Sequence, residues 1–276
     1  MEALRTKTST AAPRALRASP PRPKEDRHFV TALARGLEVL ACFRSGDRAL
    51  GNQDIAERCR LPKSTVSRLT ATLTRLGYLV QQEDGGKYRL GNATLALGST
   101  MLARMDVRPL ARPLMQELAD FSRAMVSLGT RDRLSMIYVE NCRSSAALTL
   151  SLDIGSRIPL AMTAMGRAYL VAVSERERQQ VLDRVHELDA SRSADAARSL
   201  ARATEDYRTL GVTTSFGEWQ HDVNAIARPF HPGGGRPPMA INCGGPAFNL
   251  SKDFLLGEVR PRLIELTQRL ESLLSR

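Results

Sequence analysis

Apolar positions first become periodic near Phe29. In the run VTALARGLEVLACF, Val30, Leu33, Leu37, Leu40 and Phe43 recur at helical spacing and predict a first helix. SGDRALG reads as a turn. A short second helix follows, with Asn52 as its N-cap and Ile55, Ala56 and Cys59 facing inward. Arg60-Leu61-Pro62 interrupts it, and Pro62 suits the first turn of a third helix, where a missing N–H costs no intrahelical bond. That helix, KSTVSRLTATLTRLGYL, sets Val66, Leu69, Leu73 and Leu76 on one face and stops at Gly77. YLVQQEDGGKYRLG then reads as two strands around an Asp84-Gly85-Gly86 hairpin turn.

Leu95, Leu97, Leu102 and Met105 predict a connecting helix, Asp106 to Pro109 marks a boundary, and ARPLMQELADFSRAM is a longer amphipathic helix. From Val126 the pattern changes. LSMIYVENC and ALTLSLDIG read as strands, and AMTAMGRAYLVAV as a buried helix rich in small residues. SERERQQVLDRVHEL opens with a capping box, Ser174 and Glu177, and a further polar helix runs on to Thr209. GVTTSFGEWQ, NAIARPFH and PMAINCGGP read as strands, before a closing amphipathic helix, SKDFLLGEVRPRLIELTQRLESLLS. There is no internal repeat.

Three helices and a hairpin in so short a span form the winged helix-turn-helix pattern. The expected fold class is α+β, with four segments: an arm over 1–26, a winged helix-turn-helix over 27–90, a linker helix over 91–106, and a second domain over 107–276 of a size suited to ligand binding. The hydrophobic fraction of 42% over 276 residues supplies enough apolar material for two such cores. No apolar run approaches the roughly 20 residues that span a bilayer, so a soluble, cytoplasmic protein is expected.

Charge sharpens this picture. Of the net +11, residues 1–27 hold +4 (seven Lys/Arg against three Asp/Glu), residues 28–90 another +4 (ten against six), and the remainder only +3. A basic N-terminal third suits a polyanionic partner, although it could also serve solubility. The first 27 residues lack both apolar periodicity and the apolar core of a secretory signal. They read as a disordered basic arm, with a transit peptide as the alternative.

The polar face of the third helix carries the candidate chemistry. Lys63, Ser64, Thr65, Ser67, Arg68 and Thr72 point away from its apolar stripe, and no acidic residue occurs from Lys63 through Tyr78. Short hydroxyl side chains can approach a base edge or phosphate closely. Arg68 can bond guanine O6 and N7 together, and Lys63 is placed for a phosphate. Lys87 and Arg89 flank the hairpin turn, as a wing touching the neighbouring backbone requires. A merely solvated helix face would mix signs and favour Glu.

Several other chemistries find little support. Cys42, Cys59, Cys142 and Cys243 form no CxxC and fit reduced thiols. His28, His186, His221 and His231 are scattered, so neither a metal nor a cofactor is expected. A Cys–His hydrolase built on Cys243 with His221 or His231 lacks a catalytic motif, and Cys243 lies in a strand-like apolar run; the chain is read as no enzyme. A redox-responsive regulator using Cys142 or Cys243 stays open as an alternative. An architectural DNA binder would not need so large a second domain.

In order along the chain, ALARGLEVL, IAERCRLPKSTVSRLTATLTRLGYL, YRLG, PLAMTAMGRAYLVA, FGEWQHDVNAIARPF and AINCGGP resemble the isocitrate-lyase-regulator (IclR) family of bacterial transcription factors. The resemblance implies a GAF-like effector domain after the winged helix-turn-helix. It also implies homodimers or homotetramers on palindromic or repeated double-stranded operators, and a small organic-acid or aromatic effector. Members act as repressors, activators or both, commonly over catabolic operons. By position, the effector residues would be Met162, Thr163, Ala164, Met165, Glu218, Ala225, Asn242 and Gly244. From the residues alone, AMTAMGRA reads instead as tight packing of a buried helix. Three departures stand out. Arg60 occupies a turn position where the family usually has Gly, and would cost on the order of 1 kcal/mol if φ is positive there, unless it contacts a phosphate. Asn242-Cys243-Gly244-Gly245 replaces a serine-rich strand. The Gly-rich hairpin from His231 to Arg236 reads as a flexible turn and not a phosphate loop, since no helix with Lys-Ser/Thr follows.

Overall fold

The computed structural model describes residues 28–44, 46–83, 86–145 and 152–275. The basic arm, the hairpin tip at Asp84-Gly85, and most of the predicted strand ALTLSLDIG lie outside the described residues. Its last residues, Leu152–Gly155, are described and form no strand.

The N-terminal unit contains α1 (Thr31–Ala41), α2 (Asn52–Cys59), α3 (Lys63–Arg75), β1 (Leu79–Gln81) and β2 (Tyr88–Leu90). Val39, Leu50, Ile55, Val66, Leu73, Leu79 and Tyr88 make its core. Leu50 forms an isolated bridge to Tyr88, which fastens the wing to the segment before α2. Arg58 on α2 grips the Asp47 carboxylate and the Cys42 carbonyl, tying α2 to the α1–α2 turn.

Local details depart from the periodicity. The N-cap of α2 is Gly51, whose N–H donates to the Asp54 carboxylate at 2.9 Å. Asn52 is instead the first helical residue, and its amide reaches across to Ser67 and Thr70 on α3. Pro62 is the N-cap of α3, one position before the first turn. Only Val39 of α1 is buried. Phe29, Val30, Leu33 and Leu37 are 57–63% exposed, as is Leu76 at the end of α3. A cluster of three short helices and a two-stranded wing has too little mass to cover that stripe.

A linking helix, α4 (Asn92–Ala103), buries none of its residues; Leu95, Leu97 and Met101 are exposed, while Leu102 and the following Met105 lean on the second core. The break falls at Arg104–Asp106, and the Val107-Arg108-Pro109 segment already forms the first turn of α5 (Val107–Ser122). Pro109 is tolerated there because the first N–H groups of a helix have no intrahelical acceptor.

The second unit is built on one antiparallel sheet, ordered β5-β4-β3-β8-β7-β6. Its strands are β3 (Met125–Asp132), β4 (Ser135–Arg143), β5 (Arg157–Pro159), β6 (Thr213–Phe216), β7 (Val223–Phe230) and β8 (Met239–Pro246). One face packs on α5 and on a continuous C-terminal helical run: α9 (Lys252–Phe254), a π-helical turn (Leu255–Val259) and α10 (Arg260–Leu274). The other face carries α6 (Ala164–Ala172), with α7 (Glu175–Leu188) and α8 (Ala190–Leu210) outside it. Side chains alternate across the sheet as the pleat demands: Met239, Ile241 and Cys243 join the α5/α10 core, while Ala240, Asn242 and Gly244 face α6.

Burial on both faces explains why β3 is missing from the periodicity. Met125–Gly129 is buried at every position, and such a run carries no polar alternation to separate it from the end of α5. The helix stops at Ser122, with Arg123 in the left-handed region at φ 51°. A β-bulge opposite Leu128/Gly129 leaves Val139 unpaired. It shifts the parity of β4, so that Met136 and Tyr138 face α6 whereas Cys142 faces α5. Gly129 lies beside it, and a Cβ there would stand 2.3 Å from the Met165 sulfur, so that side chain would have to move. Half of the predicted capping box is present. Ser174 accepts from the Glu177 N–H, but the Glu177 carboxylate accepts from Tyr169 Oη and Arg131 instead of reaching back.

Candidate nucleic-acid interface and effector site

α3 begins after a tight turn at Arg60, whose φ of 53° and ψ of 41° place it in the left-handed region. This is the conformation for which glycine is the unstrained choice. Arg60, Lys63, Ser64, Ser67, Arg68 and Thr72 are exposed and Thr65 half-buried. Neither Arg60 nor Arg68 makes an ion pair among the described residues. Lys63 donates to Gln53 at 3.2 Å, Ser67 accepts from Asn52 at 3.3 Å, and the Thr72 hydroxyl donates to the Arg68 carbonyl at 2.9 Å. Ser67 and Thr72 therefore keep only part of their bonding capacity for a ligand. Lys87 and Arg89 are exposed on the wing, with Arg89 paired to Val80 in the strand register. The helix thus presents an acid-free polar surface beside a wing that carries Lys87 and Arg89.

The eight residues proposed for the effector do not form one cavity. Thr163, Ala164, Met165, Ala225, Asn242 and Gly244 surround a small pocket of about 20 Å³ between the sheet and α6, which has room for one water. Met162 and Glu218 border a separate cavity of about 890 Å³ outside α6. Glu218 is already engaged: Arg167 holds it with both guanidinium ends, at 2.6 and 3.2 Å, and Arg202 contacts it as well. Burial works to raise this carboxyl, but the Arg167 bonds and the two positive charges outweigh it and hold it below the usual carboxylate range. A carboxylate so held is unsuited to receiving an acidic ligand.

Residues with no sequence signal complete the inner pocket. Tyr138 is buried, and burial pushes its hydroxyl up to about 12, against the opposing hydrogen bonding of Ser127 and Asn242. It therefore stays a neutral donor at any ordinary pH. Asn242 Oδ1 is buried with no hydrogen-bond partner among the described residues. An unpartnered buried amide oxygen costs about 1–3 kcal/mol, so the site favours a ligand or water that donates to it. Ser215 and Trp219 close the wall.

A chain of polar contacts leads from this pocket through the sheet. Ser127, beside Tyr138, donates to Asn141 at 2.8 Å; the Asn141 N–H donates to Glu140 at 3.0 Å; and Glu140, 3% exposed, accepts from Arg108 at 3.0 Å and Arg112 at 2.7 Å. Arg108 stands in the first turn of α5, directly after the linking helix.

Neither sulfur alternative gains support from the geometry. Cys142 and Cys243 are buried, and burial raises both thiols to about 11, leaving almost no thiolate to react. The Cys243 thiol donates to Ser122 at 3.4 Å, while His221 and His231 are both exposed, so no Cys–His pair forms. Among the described residues there is no cluster of three or more metal-ligating side chains, and no helix is long and apolar enough to cross a membrane.

A helix-turn-helix with an unopposed basic face, joined by a helix to a separate α+β domain, is the build of a DNA-binding transcription regulator. Comparison with known proteins supplies the particular kind. Residues 32–83 match the IclR helix-turn-helix domain, and residues 99–271 match the C-terminal domain of the bacterial transcriptional regulator IclR. The chain belongs to the IclR family of transcriptional regulators. It is 34% identical over 246 residues to the HTH-type transcriptional regulator TsaQ1/TsaQ2 of Comamonas testosteroni, covering 88% of each chain. It is 28% identical to the Pca regulon regulatory protein of Pseudomonas putida, over 79% of this chain and 75% of that one. The crystal structure of an IclR-family regulator from Brucella abortus superposes with a TM-score of 0.79 at 44% identity, covering 92% of this chain and 96% of that one. An IclR homolog from Microbacterium hydrocarbonoxydans, solved as a complex with 4-hydroxybenzoate, superposes with a TM-score of 0.66 at 25% identity, over 88% and 99% of the two chains.

Proposed function

We propose that this regulator controls a catabolic operon in response to a small organic or aromatic acid. The observation that carries the reading is the buried pair in the inner pocket: the neutral Tyr138 hydroxyl beside the unpartnered Asn242 oxygen, lined by Met125 and Met165, which can repack. Such a pair would recognise a hydroxyl or a carboxylic group on a flat, mostly apolar molecule. The named regulon of the Pseudomonas relative and the aromatic acid bound by the Microbacterium homolog support the same class.

On this reading residues 27–90 are the DNA-reading unit, 91–106 the linker and 107–276 the effector domain. Arg60, Lys63, Ser64, Thr65, Ser67, Arg68 and Thr72, with Lys87 and Arg89, meet the DNA. Arg68 reads base edges, and the others fix the backbone register. The protein acts as a homodimer or pairs of homodimers. The exposed apolar side chains of α1 and α4 support this, since large apolar patches left uncovered mark interaction sites. Effector binding favours one of two dimer states that differ in the separation of the recognition helices.

A thermal-shift screen of the full chain against aromatic and aliphatic acids tests the effector class, because a ligand of the folded state alone raises the melting temperature. Asn242→Leu should abolish the shift given by the best acid while operator binding persists. An undiminished shift in that variant would remove the pocket assignment.

A further inference from the structure

The outer cavity is left unexplained by this reading. It lies between α7, α8 and the segment from Pro159 to Met162, and at about 890 Å³ it is far larger than the inner pocket. That volume sits within the roughly 300–1,000 Å³ range of sites that enclose a sizeable organic ligand. Most of its wall is apolar: Leu134, Leu160, Val181, Val185 and Leu188 all border it.

Its charged lining sets three arginines, Arg167, Arg198 and Arg202, beside three carboxylates, Asp189, Asp195 and Glu218. Arg167, 3% exposed, donates to the Thr214 carbonyl at 2.6 Å, to Ser199 at 2.8 Å and to Glu218, so it is fixed and fully used. Arg202 shares Glu218 and is 54% exposed. Arg198 stands one helical turn before it on α8, 73% exposed, and among the described residues it is held only by its neighbour Asp195. A guanidinium offers five N–H donors, and each of these two has most of them free of protein acceptors. Two under-used guanidinium groups one turn apart, beside an apolar wall, match an anion with a hydrocarbon body.

We propose that this cavity is a second ligand site, distinct from the inner pocket, which takes a carboxylic acid with an extended aliphatic chain. The carboxylate bridges Arg198 and Arg202, and the chain lies among Leu160, Val181 and Val185. At about 20 Å³ the inner pocket would have to open for any acid, whereas the outer cavity holds such a chain as it stands.

Isothermal titration of the full chain with decanoate, decanol and benzoate provides the test. One decanoate should bind per chain, with decanol at least tenfold weaker for want of the charged contacts. Val185→Trp, which fills the cavity from a half-buried position, should abolish decanoate binding. Arg198→Ala with Arg202→Ala should weaken it about tenfold or more. Asn242→Leu should leave it unchanged. Loss in Asn242→Leu, or survival in Val185→Trp, would place the acid elsewhere. Equal binding of decanol would remove the arginine assignment, and uptake of many decanoates per chain would reduce it to detergent adsorption. Absence of decanoate binding would overturn the proposal while leaving the aromatic-acid response of the inner pocket standing, so the two readings fail separately.

Discussion

Arg60 is the residue at which local physics and function pull apart. Its backbone is left-handed, with φ 53° and ψ 41°, and a side chain at such a position costs on the order of 1 kcal/mol relative to glycine. The guanidinium stands exposed beside the start of α3, where the proposed function puts a DNA phosphate. Arg60→Gly should therefore stabilise the protein in urea unfolding by about 1 kcal/mol and lower the salt dependence of DNA binding by about one phosphate contact. A variant less stable than the parent would show the turn is not strained. The strain at Arg60 is foreseen only through the family resemblance, which usually has Gly at this position of the three-residue turn between α2 and α3. The α3 side chains were legible from sequence, because an acid-free exposed face is a local property. Glu218 was not. Its partner Arg167 is 51 positions away, and no periodicity reports that a long-range pair has already claimed a carboxylate. Tyr138 escaped notice for a different reason, since its direction depends on a bulge set by the strand beside it.

At the scale of elements, the sheet is both the frame and the path. The helices were legible from their apolar spacing, as were the three C-terminal strands. β3, at the centre, was not: its first five residues are buried on both sides and carry no alternation. That same strand supplies Ser127, which starts the polar chain toward Glu140 and the first turn of α5. Contiguity of contacts does not by itself carry coupling, so the chain needs a coupling measurement. Glu140→Gln should leave effector and operator each able to bind, at a stability cost of about 1 kcal/mol, because Arg112 is 59% exposed and water can take up the guanidinium groups. The ratio of operator dissociation constants with and without effector should fall toward one. An unchanged ratio in a folded variant would show that the signal travels by another route.

For the whole molecule, the exposed apolar side chains of α1 and α4 are what supports the proposed dimer. Leu37→Glu, at a position already 57% exposed, should leave helical content intact and shift the protein toward monomer in sedimentation, with loss of operator affinity. A variant that stays assembled would move the interface elsewhere. Assembly was only implied by family resemblance, because a periodic apolar stripe looks the same whether it meets a core or a partner. The central claim is that the exposed face of α3 reads base sequence and does not merely neutralise phosphate. Selection of bound sites from a random double-stranded DNA library, with the parent chain and with Arg68→Ala, tests it most directly. The account predicts that the parent enriches a palindromic or repeated site. Arg68→Ala should lose about 1–3 kcal/mol of preference at one base position in each half-site and keep the rest of the motif. No enrichment by the parent, or an identical motif from the variant with uniformly weaker binding, would contradict it.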